Sequence, residues 1–178
     1  MKNVLAYSLL LILTFSCNSN DFSDTEMYFQ TDKEAYRLND DFEITVVIFP
    51  KNGENKIRIF KKFNNLKISF HLKNSESEFS QELKKHFIEG PSLTGDDSKY
   101  IDEYTISQTQ PFKKSFKGTI SENEGIVVFK IPELNISESI EKSELFENPE
   151  IIITGNCHTV YSSIQEDFIP KDIKILID

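Results

Sequence analysis

Asp41-Phe42-Glu43-Ile44-Thr45-Val46-Val47-Ile48-Phe49 alternates apolar and polar residues. On an extended chain Phe42, Ile44, Val46 and Ile48 fall on one side, and Val47 and Phe49 close the other side near the end. A period of two is the period of a strand with one face on a core and the other in water. Pro50-Lys51-Asn52-Gly53-Glu54-Asn55 follows as a turn. Beyond it Lys56-Ile57-Arg58-Ile59-Phe60 and Leu66-Lys67-Ile68-Ser69-Phe70-His71-Leu72 repeat the pattern, the second through Leu66, Ile68, Phe70 and Leu72. Later, Phe112–Ile120 and Ile126–Ile131 flank Ser121-Glu122-Asn123-Glu124-Gly125, which reads as a hairpin stopped by Pro132. Pro149–Gly155 and Asp172–Ile177 add two more strands, the last pinned by its sheet.

Two stretches depart from alternation. Ser77–Glu89 spaces Phe79, Leu83, Phe87 and Ile88 as a helix would, with Gly90-Pro91 to end it. Ser137–Phe146 offers Ile140, Leu145 and Phe146 in the same way, with Pro149 beyond. About eight strands and one or two short helices predict a mainly β chain of two packed antiparallel sheets.

Near the start of the body, Asp32-Lys33, Tyr36 and Asp40-Asp41 precede the alternating strand. This order resembles the opening of immunoglobulin-like β-sandwich domains, including macroglobulin-type domains. Those often begin with an Asp-Lys pair, a tyrosine three residues on and a Gly-Asp turn. Leu38-Asn39 replaces the usual Pro-Gly here, and asparagine tolerates the backbone angles of such a turn. Phe116–Pro132 is similar to the penultimate hairpin of the same domains. The resemblance implies an immunoglobulin-like antiparallel β-sandwich, a fold that hosts binding, scaffolding and inhibition alike.

The N-terminus speaks to location. Lys2 is followed by the apolar run Val4–Leu13, then Thr14-Phe15-Ser16, Cys17 and a polar stretch. A charged start, a short apolar core and a small residue at the edge make a secretion signal, too short to remain across a bilayer. With the cysteine directly after that small residue, the segment resembles a bacterial lipoprotein signal. The resemblance implies cleavage after residue 16, lipidation of Cys17 and anchoring in the cell envelope, with the outer membrane as the expected site. An ordinary signal peptide with an incidental cysteine is the alternative. The expected organisation is a signal over 1–16, a lipidated tether over 17–25 and one β-sandwich domain over 26–178.

The full chain carries 20 basic and 29 acidic residues, net −9. Residues 1–17 hold one lysine and no acid, so their removal moves the net charge to about −10. That balance opposes nucleic acid as a partner and opposes docking on anionic lipid through charge. Membrane attachment is then expected through lipid chains, and more than one chain is needed for a stable hold. Cys157, the remaining thiol, follows an apolar strand and reads as buried and inert.

No nucleophile elbow, phosphate loop or Cys-x-x-Cys pair occurs. His71, His86 and His158 lack metal-ligand spacing, so a zinc site would need the fold to gather them. Asp96, Asp97, Asp102 and Glu103 in an acidic loop could supply oxygen ligands to calcium, although a solvated turn explains them as well. The longer loop from Glu89 to Ser107 also carries Tyr100, Asp102 and Tyr104, nominated as a partner-binding surface because sandwich loops gather at one end. The leading expectation is a non-enzymatic binding or accessory module for an envelope protein, with no cofactor beyond possible calcium. The alternatives are a secreted hydrolase with a site assembled from distant residues, and a small acidic inhibitor or immunity-type protein.

Overall fold

The computed structural model describes residues 22–61, 66–73, 81–86, 98–145, 149–158 and 165–177, without the side chains of 23, 81–86, 98 and 165. The signal, Cys17, Asp96 and Asp97 lie outside these residues. In chain order the strands are β1 (Thr25–Thr31), β2 (Ala35–Arg37), β3 (Asp41–Pro50), β4 (Glu54–Phe60), β5 (Leu66–Lys73), β6 (Gln81–His86) and β7 (Ile101–Ser107). There follow β8 (Phe112–Asn123), β9 (Ile126–Ile131), β10 (Ile136–Glu141), β11 (Glu150–His158), β12 (Gln165–Asp167) and β13 (Lys171–Leu176). Among the described residues the helical segments are short 3₁₀ turns, and none is long and apolar enough to cross a membrane.

The protein is a mainly β, largely antiparallel β-sandwich. One sheet runs β1-β3-β8-β9-β10 and the other β2-β13-β11-β5-β6, with β12 paired to the end of β11. β2 lies parallel to β13, with Ile175 opposite Tyr36. The alternation read from β3 and β5 is the alternation of burial. Phe42, Ile44, Val46 and Ile48 face Leu66, Ile68, Phe70 and Leu72 within one continuous core. Burying such side chains contributes about 1.5–3 kcal/mol each before entropy is set against it. Val47 is also fully buried, on the outer side of its sheet, opposite Tyr28 and Lys113 in register.

The helix expected over Ser77–Glu89 is corrected by β6, which occupies Gln81–His86, while 77–80 and 87–89 lie outside the described residues. The helix expected over Ser137–Phe146 is corrected by β10 and the 3₁₀ turn Lys142–Glu144. A spacing of four, as between Phe79, Leu83 and Phe87, explains the first, and Ile136 and Ile140 show the same ambiguity beside the second. That spacing places two residues on one helix face, but it is also even, so Ile136 and Ile140 share one face of a strand. Pairing of β10 with β9, Ile136 opposite Ile131, then decides between the two. In β6 the pairing with β5 shifts register between Phe70 and His71, leaving Leu83 as the extra residue of a bulge.

The packed body begins before residue 26. Phe22 is buried in a 3₁₀ turn over Phe22–Asp24, and the Thr25 hydroxyl donates to the Phe22 carbonyl at 2.5 Å. This turn fixes one end of the sandwich. The Lys51 N–H donates to the Asp24 carbonyl at 2.8 Å, and the Gln108 amide donates to the Lys51 carbonyl at 3.2 Å. β4 and β7 form a separate two-stranded ribbon that crosses this same end. Ile59 of the ribbon walls a small interior void with Val46, Ile48 and Phe112 of one sheet and Leu66 and Cys157 of the other. The ribbon thus closes the sandwich at the end where the chain enters.

Candidate functional site

The three nominated residues all belong to the ribbon or its end. Asp102 and Tyr104 lie two apart on β7, on the side of Ile106, opposite buried Ile59 and Ile57. The Tyr104 ring meets Phe112 edge-on with centroids 4.9 Å apart. Burial raises the pKa of the Tyr104 hydroxyl, and the charge and hydrogen bond of Asp102 raise it further. Tyr104 is therefore a packing residue with a polar tip. Tyr100 is different: it is 47% exposed in the turn before β7, with the Lys99 ammonium 4.7 Å from its ring centre.

The carboxylates considered for calcium face different ways. Glu103 points to the outer side, where Arg58 Nε lies 3.2 Å and Lys56 Nζ 3.3 Å away, and these two cations hold its carboxyl below the usual range. Asp102, on the inner side, lies 3.8 Å from Lys61 Nζ. Among the described residues no three His, Cys, Asp or Glu side chains converge as metal ligands.

The histidines are likewise spread along one sheet. His71 pairs with Ile152 of β11, and its Nε2 lies 3.2 Å from Thr154 Oγ1. His158 sits six positions further along β11, about 20 Å at strand rise. His86 is opposite Ile68 on β6. Cys157 is fully buried, and that burial pushes its thiol pKa far above the ordinary value, as befits an inert core residue.

The structure supplies a site the sequence reading missed. Along the first sheet, away from the Phe22 end, Asp32, Asp41, Glu43, Lys117, Thr119 and Pro132 rim an open cleft of about 390 Å³. Its floor is Phe42 and Gly118, which stand opposite each other in the β3–β8 pairing. Gly118 is required there by close approach: a Cβ would meet the Phe42 ring and come 2.6 Å from the Lys130 carbonyl. One wall is braced by the Asp32–Tyr36 pair. The buried Tyr36 hydroxyl donates to Asp32 Oδ1 at 2.6 Å and accepts the Lys33 N–H at 3.1 Å. Asp32 Oδ1 also accepts the Glu43 N–H at 2.7 Å.

Desolvation acts to raise the Asp32 pKa, but the Tyr36 hydroxyl, two backbone N–H groups and the Lys33 charge outweigh it and leave the carboxyl below its usual range. Burial, then the hydrogen bond to Asp32, pushes Tyr36 up to about 12. At neutral pH one group is an anion and the other a neutral phenol, far from the poise a general acid or base needs. The pair braces the wall of the cleft. Nearby, Asn39 has φ 71°, the left-handed angle expected of asparagine in this turn, and Asp40 Oδ2 caps the turn by accepting the Arg37 N–H at 3.1 Å. The available signal for the cleft was the Asp32/Tyr36 pair itself, which marked the turn without showing that Glu43 would close on it.

No protein-family model and no curated protein matches the chain. Among solved structures it is similar to the sporulation control protein Spo0M of Bacillus subtilis, at 10% identity and a TM-score of 0.41, over 86% of this chain and 50% of that one. It is also similar to a β-glucosidase of Erythrobacter marinus, at 8% identity and a TM-score of 0.35, over 85% of this chain and 15% of that one. A β-glucosidase of Listeria innocua aligns at 10% identity and a TM-score of 0.31, over 85% and 16%. The chain thus spans about half the length of the Spo0M chain and a small part of either glucosidase.

Proposed function

We propose that this is a lipid-anchored envelope protein, attached through acyl chains on Cys17, that acts as a non-enzymatic binding or accessory module for another protein. The observation that carries the reading is the position of the cleft. The chain enters at Phe22, while Asp32 and Asp41 stand at the opposite ends of β1 and β3, about 20 Å away at strand rise. An anchor at one end and an open, polar cleft toward the other suit a module that meets its partner on the side away from the membrane. The rim holds three carboxylates and one lysine, which suits a basic side chain from that partner. The same acidity favours, as a second reading, a small acidic inhibitor or immunity-type protein.

Affinity capture from a detergent-solubilised envelope tests both parts. The full chain is expected in the membrane fraction and Cys17→Ser outside it. The captured partner is expected to be lost at high salt and with Asp41→Lys plus Glu43→Lys. Equal sedimentation of Cys17→Ser would refute the anchor. Capture indifferent to the cleft substitutions would refute the cleft as the contact surface.

A further inference from the structure

We infer that the cleft seats an extended segment of the partner in which a basic residue is followed, two positions on, by an acidic one. The inference rests on the reading of the cleft as the contact surface and names what the partner brings to it. Alternation along β3 turns Phe42 and Ile44 into the core and leaves Asp41 and Glu43 on the other side. Asp32 carries the β1–β3 ladder one step further, its N–H donating to the Glu43 carbonyl at 3.2 Å. Glu43 stands opposite Lys117 of β8, so Asp32, Glu43 and Lys117 form a row across three strands. The next row runs from Asp41 through Thr119 to Lys130 of β9. Both rows are anionic toward β3 and cationic toward β8 and β9.

These charges are unspent. Among the described residues Asp41, Glu43, Lys117 and Lys130 enter no ion pair, whereas neighbouring Lys33 is taken by Asp40 at 3.1 Å and Glu133 by Lys114 at 2.5 Å. Asp32 is held in place, its Oδ1 accepting both the Tyr36 hydroxyl and the Glu43 N–H. An exposed cross-strand pair of Glu43 with Lys117 is a weak competitor for a ligand that satisfies both ends of the row.

Strands lie about 4.8 Å apart, so the point midway between Asp32 and Glu43 is about 7 Å from Lys117. Residues i and i+2 of an extended chain point the same way and are also about 7 Å apart. A lysine or arginine over the two carboxylates therefore places an acid two positions on over Lys117. A segment with basic residues at both places meets Lys117 with like charge, and that repulsion supplies selectivity among basic partners.

The test uses the full chain, recovered from membranes in detergent, and four capped, dye-labelled pentapeptides of otherwise neutral residues. The first has lysine second and glutamate fourth. The second has lysine at both places, the third glutamate at both, and the fourth lysine second and glutamate third. Fluorescence anisotropy at low salt should show the first binding about tenfold tighter than the others. Lys117→Glu should remove its advantage over the second peptide. Lys117→Gln, the milder change at this exposed position, should weaken the first peptide about threefold. In envelope capture, Lys117→Glu should lose the partner as Asp41→Lys plus Glu43→Lys does.

Three results overturn the inference and leave the cleft as the contact surface. They are equal affinity for the first and second peptides, no binding of any peptide at about 1 mM, and capture that survives Lys117→Glu but not the paired carboxylate changes. Capture that survives every one of these substitutions overturns the contact surface itself.

Discussion

Gly118→Ala places one methyl group where the structure has none to spare. The new Cβ meets the Phe42 ring and sits 2.6 Å from the Lys130 carbonyl, which is backbone in the β8–β9 ladder and cannot swing aside. Phe42 is also held, stacked on Phe129 at 4.8 Å between centroids and edge-on to Tyr36 at 5.9 Å. Overpacking of this kind costs about 1–3 kcal/mol. For a chain of 178 residues that corresponds to a fall in melting temperature of about 3–10 °C. Thermal melts followed by circular dichroism, with urea titrations to confirm an unchanged slope, measure it. Phe42→Leu makes room, so the double variant should be less destabilised than the two single changes added together. Gly118→Ala melting like the parent, or strict additivity in the double variant, would refute the packing argument and with it the account of the cleft floor.

Three further outcomes follow from the same geometry. Tyr36→Phe removes a hydrogen bond to a carboxylate and should lower stability by about 1–3 kcal/mol in urea unfolding at neutral pH. Asp32 is depressed in the folded state, so the stability it contributes is present above its unfolded pKa of about 3.9 and is lost as pH falls through the lower folded value. Urea midpoints at neutral and acid pH should therefore converge less in the parent than in Asp32→Asn, and identical acid sensitivity would count against the brace. Cys157 should resist iodoacetamide in the folded protein and take up one alkyl group only under denaturant, as read by mass. Ready labelling without denaturant would mean that the β5–β11 interior is open.

Alternation made the sandwich legible wherever a strand has one wet side, as in β3 and β5. It failed at β10, because Ile136 and Ile140 satisfy helix and strand periods at once and only the partner β9 resolves the choice. β2 is three residues long and β12 is another three, too short to carry a period at all. β4 was read as an ordinary member of a sheet, since Ile57 and Ile59 alternate correctly whether they face a sheet or cap its end; its partner β7 was read as part of the loop from Glu89 to Ser107, and its pairing with β4 corrects that reading. The cleft was harder still. Its floor depends on a glycine facing a phenylalanine across two strands far apart in sequence, and its wall on Asp32 reaching the Glu43 N–H. The exposure of Tyr100 is a local property of an aromatic in a polar stretch, and so it needed no partner strand to be read.

The parallel pairing of β2 with β13 has a consequence for biogenesis. Tyr36 waits for Ile175, so β2 joins the second sheet only after the segment over Lys171–Leu176 has left the ribosome. A nascent chain that has not yet released β13 keeps the Tyr36 strand without its neighbour, so that edge of the sandwich is the part that forms late.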